Sequence, residues 1–471
     1  MAELAADTKA WIESVTGGVF VASRQVAAGG RAGHFVDLER AGGPLALFVQ
    51  IGRGEARVGT SFLPLEREAE VLRALAGTGV PTPKVWAFDA ARQTLLVDRV
   101  PGVTWMHPPP TPEEQLNVAQ DFIRHLATWH GLNPDDLDLP SFKPVRSARE
   151  HQRAVVADMW AQARAGGPDI EPVLRMSLEF LERELPDYEG PTVLIQGDTG
   201  PGNLMYQDGK VTGVVDWELA HLGDPMDDIA WLTWRTTQHT FTHLPDRLRE
   251  YEALSGHRID EARVTYYRVN ACVRLAASGS GPWGGFGLPA MGARAPREAS
   301  AAPITAESDR SADGSAFVFT ILHRRMRLEA LMAALKIPAP PEATIEDAPA
   351  KPYGGMYDDI LGKLQIAVKR TKDRTAANLM KGIARSVKYL KEADRNAVKF
   401  DEEEGDDIGV MLGREPETLA EGRRELYRAA VERMIGDEDY LLYHWRRLLR
   451  DEHIMRAAAG SIWRRSWPAL H

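Results

Sequence analysis

Three polar side chains stand out by type and spacing. Asp198 follows the apolar run Val193-Leu194-Ile195 and is crowded by Gly197, Gly200 and Gly202. Asn203 comes five residues later, and Asp216 closes the next apolar run, all within LIQGDTGPGNLMYQDGKVTGVVDW. Two carboxylates and a carboxamide offer a ligand only oxygen. A hard cation such as Mg²⁺ takes one or two carboxylates and leaves its other positions to water and phosphate. An acid just ahead of the carboxamide can orient a hydroxyl for in-line attack on a terminal phosphate. These are the parts of phosphoryl transfer, where positioning and charge neutralisation do most of the catalysis. Any one of the three alone reads as an ordinary turn residue; the reading rests on their order and setting.

The elements that must hold them follow from the flanking pattern. NLMYQDGKVTGVVDW is two apolar strands joined through Asp208-Gly209, a strong hairpin signal. Asp198 and Asn203 are then held by a loop and Asp216 by a strand end. Upstream, residues 1 to about 100 alternate strand-like runs (Val19-Phe20-Val21, His34-Phe35-Val36, Leu45 to Ile51) with glycine turns. One strong helix, LEREAEVLRALAGTG, interrupts them. Thr111-Pro112-Glu113-Glu114 is a capping box with proline at the first helical position, and helical patterns recur at 170–185, 244–254, 260–277 and 317–335. A Gly/Ala/Ser/Pro-rich stretch, SGSGPWGGFGLPAMGARAPREASAAP, reads as a loop, and 336–352 as a Pro/Ala linker. Beyond it, Ile360, Leu364, Val368, Leu379, Ile383, Val387 and Leu390 form the apolar stripe of one amphipathic helix, or of two broken near Arg374. From Lys363 to Lys399 there are eleven Lys/Arg against three Asp/Glu, and the acidic run Asp401 to Asp407 follows.

The motif wording points to a family. QGDTGPGNLM resembles the catalytic loop of the aminoglycoside phosphotransferase and choline kinase superfamily, whose usual form begins His-Gly-Asp. VVDWELAHLGDPMDDIAW resembles its metal-binding segment and the helix after it. Trp217-Glu218 and Gly223-Asp224-Pro225 look most like the kinase-like domains associated with acyl-CoA dehydrogenases. The resemblance covers about residues 15 to 335. It implies an α+β, two-lobed protein-kinase-like fold. Residues 1–103 would be a five-stranded N-lobe with one helix, ending in a hinge near Asp98 to Gly102. Residues 104–335 would be a helical C-lobe, and 353–471 an all-helical extension. It also implies ATP and Mg²⁺ as cofactors and assigns roles position by position. Asp198 would be the catalytic aspartate, with Asn203 and Asp216 as metal ligands. Gly29, Gly30 and Arg31 would turn over the ATP phosphates. Glu68 would pair with a strand cation, Asp98 would mark the nucleotide-binding hinge, and Asp224 and Asp228 would anchor the C-lobe. Two positions depart from the family. Gln50 stands where a phosphate-contacting lysine or arginine is usual, which removes charge-assisted hydrogen bonds of roughly 1.5–3 kcal/mol each. Gln196 replaces the loop histidine, a milder change because glutamine also donates and accepts.

Function is then read as ATP-dependent transfer to the hydroxyl of a small, largely apolar catabolic molecule, either a hydroxyacyl compound or a phenolic or aromatic alcohol. The argument for an apolar acceptor is the set Trp105, Trp129, Trp160, Trp231, Trp234, Trp283 and Phe286. An aminoglycoside- or macrolide-type antibiotic kinase and a weakly active pseudokinase scaffold are the alternatives. His130, at a helix end, is read as complementing the helix dipole. The net charge of −10 argues against nucleic acid, and no apolar run is long enough to span a membrane. A single cysteine, Cys272, and an N-terminus without a secretory pattern place the chain in the cytoplasm. The amphipathic extension is expected to pack on the C-lobe or across a homodimer interface.

Overall fold

The N-terminal part of the chain is built on an antiparallel sheet. Helix α1 (Ala6–Thr16) leads into β1 (Val19–Ala28), β2 (Arg31–Arg40) and β3 (Gly43–Ile51). These are followed by α2 (Leu65–Ala74), β4 (Val85–Asp89) and β5 (Thr94–Asp98). The computed structural model describes residues 4–28, 31–52, 64–105, 108–165, 169–278, 315–342 and 344–471. The five strands run in the order β1-β2-β3-β5-β4. Strand side chains alternate between faces. On one face Val36, Leu38, Leu47, Val49 and Leu96 close a core with Ile12 of α1. Phe48 and Gln50 therefore point to the other face. Sequence patterning assigned no element to residues 6–16; α1 forms because Ile12 and the half-buried Trp11 and Val15 supply its one apolar side.

Past the Asp98–Gly102 connection come β6 (Val103–Thr104), α3 (Pro112–His130), α4 (Ala148–Ala165) and α5 (Pro172–Arg183). The short strands β7 (Val193–Ile195), β8 (Leu204–Gln207), β9 (Lys210–Val214) and β10 (His221–Gly223) follow. Then come α6 (Met226–Gln238), α7 (Leu244–Ser255), α8 (Glu261–Ser278), α9 (Ser315–Ala334), α10 (Gly354–Arg370), α11 (Arg374–Leu412), α12 (Leu419–Val431) and α13 (Asp437–Ala459). The capping box starts α3 as expected, with the Thr111 hydroxyl accepting from the Glu114 amide at 3.2 Å. Strands β8 and β9 pair through Asp208 (φ 50°) and Gly209 (φ 74°), the left-handed pair that a two-residue hairpin needs. The amphipathic stripe beyond 353 is broken where the sequence suggested, between Arg370 and Arg374. The architecture is thus α+β, with a sheet-rich N-terminal part, a helical C-terminal part and a helical extension. No helix among the described residues is long and apolar enough to cross a membrane.

The described residues form two compact units. Unit 1 comprises Met1–Asp158, Glu184–Ala271 and Trp467–His471; unit 2 comprises Met159–Arg183 and Cys272–Ser466. Unit 2 is a helical assembly laced with ion pairs. Buried Arg325 donates to Glu452 at 2.7 and 2.6 Å and reaches Glu329 and Glu342 at 3.0 and 2.8 Å. The acidic run after residue 400 is neutralised within the unit, Glu404 by Arg423 and Asp407 by Arg446 and Arg450. α10 contributes no buried residue at all; Met356 and Ile366 are 63% and 54% exposed.

One carboxyl in unit 2 makes stability pH-dependent. Glu171 precedes α5 and accepts from the amides of Val173 and Leu174 at 3.1 and 2.8 Å, which ties up two otherwise unpaired helix donors. Burial nevertheless pushes its carboxyl up from 4.5 to about 7, against those bonds and the nearby Arg327 and Arg175. A raised carboxyl binds its proton more tightly in the folded state. Its contribution is therefore complete below about pH 4.5 and is lost as the pH rises through about 7. Glu171→Gln should flatten this loss. Urea melts are expected to show the variant gaining on the parent by on the order of 1–3 kcal/mol between pH 5 and pH 8. Parallel stabilities across that range would contradict the assignment.

Candidate active site

The loop between β7 and β8 owes its shape to close approaches that only glycine permits. Gly197 has φ 84°, and a Cβ there would collide with the Leu219 carbonyl oxygen. At Gly200 a Cβ would run into the side chain of Arg235, so this glycine lets α6 come up against the loop. A 3₁₀ turn at Pro201–Asn203 then feeds β8.

Asp198 and Asn203 face each other. The Asn203 amide nitrogen donates to the Asp198 carboxylate at 2.7 Å and to its backbone carbonyl at 2.9 Å. Gln196 ties the loop to the strand end. Its side-chain oxygen accepts from the Asp198 amide at 2.8 Å and lies 3.2 Å from the Thr199 hydroxyl, while its nitrogen donates to the carbonyls of Val215 and Asp216 at 3.1 and 2.6 Å. The Val215 amide donates to the Asn203 carbonyl at 2.9 Å, so Asp216 follows directly on a bond to Asn203's own backbone. Asp216 has φ 65°, unusual for a residue with a side chain. Asn203 turns its nitrogen on Asp198; its Oδ1 and the Asp216 carboxylate are oxygen donors of the type that Mg²⁺ accepts. Among the described residues no group of three or more His, Cys, Asp or Glu could hold a metal ion.

Beneath the loop lies Asp228, fully buried. It accepts from the amides of Gln196 and Gly197 at 3.0 and 2.9 Å, from the Thr199 hydroxyl at 2.6 Å and from the Trp129 indole at 3.2 Å; His130 Nε2 stands 3.0 Å away. Burial alone would raise this carboxyl. The His130, Thr199 and Gly197 bonds outweigh it and hold Asp228 below the ordinary carboxylate range. Asp224, equally buried, keeps fewer donors: the Met226 amide at 2.9 Å and Arg263 at 2.8 and 3.0 Å. Burial wins there, and its carboxyl rises to about 6. His130 is a link in this network, its Nδ1 lying 2.7 Å from the Tyr251 hydroxyl, and not merely a helix-end charge.

Arg235 is the residue the motif reading did not single out. Its Nε donates to Asp198 Oδ1 at 2.7 Å and its Nη2 to Oδ2, a two-pronged ion pair. Burial would draw its guanidinium down, but the Asp198 and Asp216 carboxylates more than offset this. With Asn203 also bonded to Oδ2, three of the roughly four acceptor positions of the Asp198 carboxylate are filled. The open one is on Oδ1. The sequence held one sign of this: Arg235 is the lone basic residue of α6.

The positions expected to hold nucleotide divide. Gly29 and Gly30 lie outside the described residues, and Arg31 opens β2 opposite Ala28. Gln50 pairs in register with Gly33 and Leu95, and Glu68 is buried on α2. The Asp98 side chain goes the other way. Its backbone pairs with Leu47, which sets its carboxylate on the face opposite Gln50, where the Trp86 indole donates to it at 2.6 Å. Arg24 and Arg99 bring cations to Gln50's face, their guanidinium groups 5.0 and 5.5 Å from the ring centre of Phe35, the neighbour of Phe48. The aromatic set is described in part. Trp105, Trp129, Trp160, Trp231 and Trp234 are all buried, while Trp283 and Phe286 lie outside the described residues.

Residues 35–265 match the model of the phosphotransferase enzyme family, and the match takes in the whole Asp198–Asn203–Asp216 constellation and Arg235. This chain carries an APH-type phosphotransferase domain. Acyl-CoA dehydrogenase family member 11 of Pongo abelii is 27% identical to it over 184 residues, 36% of this chain and 23% of that protein. Viomycin phosphotransferase of Streptomyces vinaceus is 30% identical over 190 residues, 35% of this chain and 61% of that one. The chain therefore spans under a quarter of the length of the acyl-CoA dehydrogenase relative and about three-fifths of the antibiotic kinase. Among solved structures, a macrolide 2'-phosphotransferase from Brachybacterium faecium aligns with 19% identity, covering 58% of this chain and 90% of that one, with a TM-score of 0.43. An aminoglycoside phosphotransferase in complex with ADP and hygromycin B aligns with 16% identity, covering 58% and 91%, with a TM-score of 0.42.

Proposed function

We propose that the phosphotransferase domain moves the terminal phosphoryl group of ATP to the hydroxyl of a small catabolic molecule, with a hydroxyacyl compound as the leading acceptor. The observation that carries this is the Asp198 carboxylate, gripped by Arg235 and Asn203 with one position open on Oδ1. A hydroxyl donating to that position is aligned for in-line attack, and Arg235 keeps the carboxylate from swinging away. Asn203 Oδ1 and Asp216 would hold Mg²⁺, which supplies charge neutralisation at the phosphates when bound. Gln196 fixes the distance between loop and strand end through three side-chain bonds. Among the described residues Arg24 and Arg99, the latter paired with Asp37 at 2.7 Å, stand on the sheet face where Gln50 replaces the usual cation.

The acceptor class is supported by the acyl-CoA dehydrogenase relatives; Trp105, Trp129, Trp160, Trp231 and Trp234 are buried and add little to it. The viomycin phosphotransferase relative supports a second reading, an antibiotic kinase. Incubation with labelled ATP, Mg²⁺ and two acceptor panels, hydroxyacyl compounds and cyclic peptide or aminoglycoside antibiotics, separates them by which panel is labelled. Transfer should require Mg²⁺, and Asp216→Ala should abolish it together with Mg²⁺-assisted ATP binding by calorimetry. Undiminished transfer in excess EDTA, or unchanged ATP binding in Asp216→Ala, would remove the metal from the scheme.

A further inference from the structure

Residues Trp467–His471 group with unit 1, although the helices that precede them in sequence belong to unit 2. They are held there by specific contacts. The Trp467 ring meets Trp234 at 5.4 Å in an edge-to-face arrangement. The Arg268 guanidinium lies 4.7 Å over the Trp467 ring and donates from Nη2 to the Pro468 carbonyl at 3.0 Å. From Nε the same side chain donates to the Thr233 hydroxyl at 3.1 Å. Leu470 is buried. Thr233 and Trp234 are the two residues directly before Arg235 on α6. The segment thus bears on the helical turn whose next side chain grips Asp198.

We propose that residues 467–470 are a brace for the phosphotransferase site, and that Trp467 and Arg268 are positioning residues that act through α6 on Arg235. The inference rests on the function proposed above. Its physical basis is the tightness of the far end. Arg235 meets Asp198 through two bonds at once, and its Cβ lies where only a glycine at 200 leaves room, so small shifts of α6 pass to the carboxylate. Misplacing a reacting group by about 1 Å costs on the order of a hundredfold in rate. A brace of one indole pair and one stacked guanidinium suits the placement of a helical turn, while the fold itself stands on the core below it. Nothing in the family match, which ends at residue 265, includes either Arg268 or Trp467.

The test compares the full chain with Trp467→Ala, Trp467→Phe and Arg268→Met by amide hydrogen exchange and by transfer kinetics. Trp467→Ala and Arg268→Met should speed exchange in peptides 226–238 and 196–203, with no change in 31–51. They should lower kcat on the order of tenfold at unchanged KM for ATP, and Trp467→Phe should restore both. Unchanged exchange at 196–203 overturns the brace, and so does a rise spread evenly to 31–51, which would be global loosening. If Trp467→Ala fails to fold, Arg268→Met and Trp467→Phe decide the matter by the same readouts. A parent protein inactive on every acceptor defeats the proposed function but leaves the exchange result to judge the brace.

Discussion

Asp198→Asn is expected to lower phosphoryl transfer by at least a hundredfold, about 3 kcal/mol or more of barrier, while leaving ATP affinity close to that of the parent. The reasoning is geometric. The amide keeps the size of the carboxylate and can keep one bond from Arg235. Its new NH₂ group faces a donor in either orientation: the Arg235 Nε if it takes the place of Oδ1, or both the Arg235 Nη2 and the Asn203 nitrogen if it takes the place of Oδ2. The position offered to the acceptor hydroxyl is then lost or misplaced. Asn203 Oδ1 and Asp216 are untouched, which is why the effect should fall on kcat. Circular dichroism separates this from unfolding. A folded Asp198→Asn protein with near-parental kcat would end the assignment.

Asp228→Ala should produce the largest loss of stability of any single change in the domain. Five donors or partners converge on this carboxylate: two backbone amides, a hydroxyl, an indole and His130. Truncation leaves them buried without an acceptor, and such losses run to about 3–5 kcal/mol. With about 2–4 °C per kcal/mol for a unit of this size, the transition of unit 1 should fall by about 6–20 °C. Activity should vanish as well, because Gln196, Gly197 and Thr199 are the frame of the catalytic loop. Differential scanning calorimetry reads this directly. A shift of less than 2 °C would mean that water or His130 replaces the carboxylate, and that the loop does not depend on it.

The glycine-rich loop and the hairpin were legible because their signals are local. Glycines that must allow a close approach, an Asp-Gly turn and acids at fixed spacing all lie within 24 residues. Arg235 lay beyond that reach. Its partnership with Asp198 exists only because α6 packs against Gly200, and no spacing rule connects residues 37 apart. The five described tryptophans of the aromatic set could not be placed from sequence for a related reason. Apolar residues on helices look the same whether they line a pocket or fill a core, and burial decided for the core. Asp98 shows how register governs meaning. One step along β5 moves a side chain to the other face, and the pairing with Leu47 sends its carboxylate to Trp86. The link from residues 467–470 to α6 could not be read from sequence, since Arg268 and Pro468 stand 200 positions apart.

Helix α10 contributes nothing to any interior, and this sets how it lives within unit 2. What attaches it is its side against α11 and surface ion pairs such as Lys391 with Asp358 at 2.6 Å, a bond between exposed groups. Isolated helices of this length are marginal in water. The helix is therefore expected to open at a lower cost than the unit as a whole. Unit 2 thus carries a seventeen-residue element whose amides are expected to exchange ahead of those of α9 and α13.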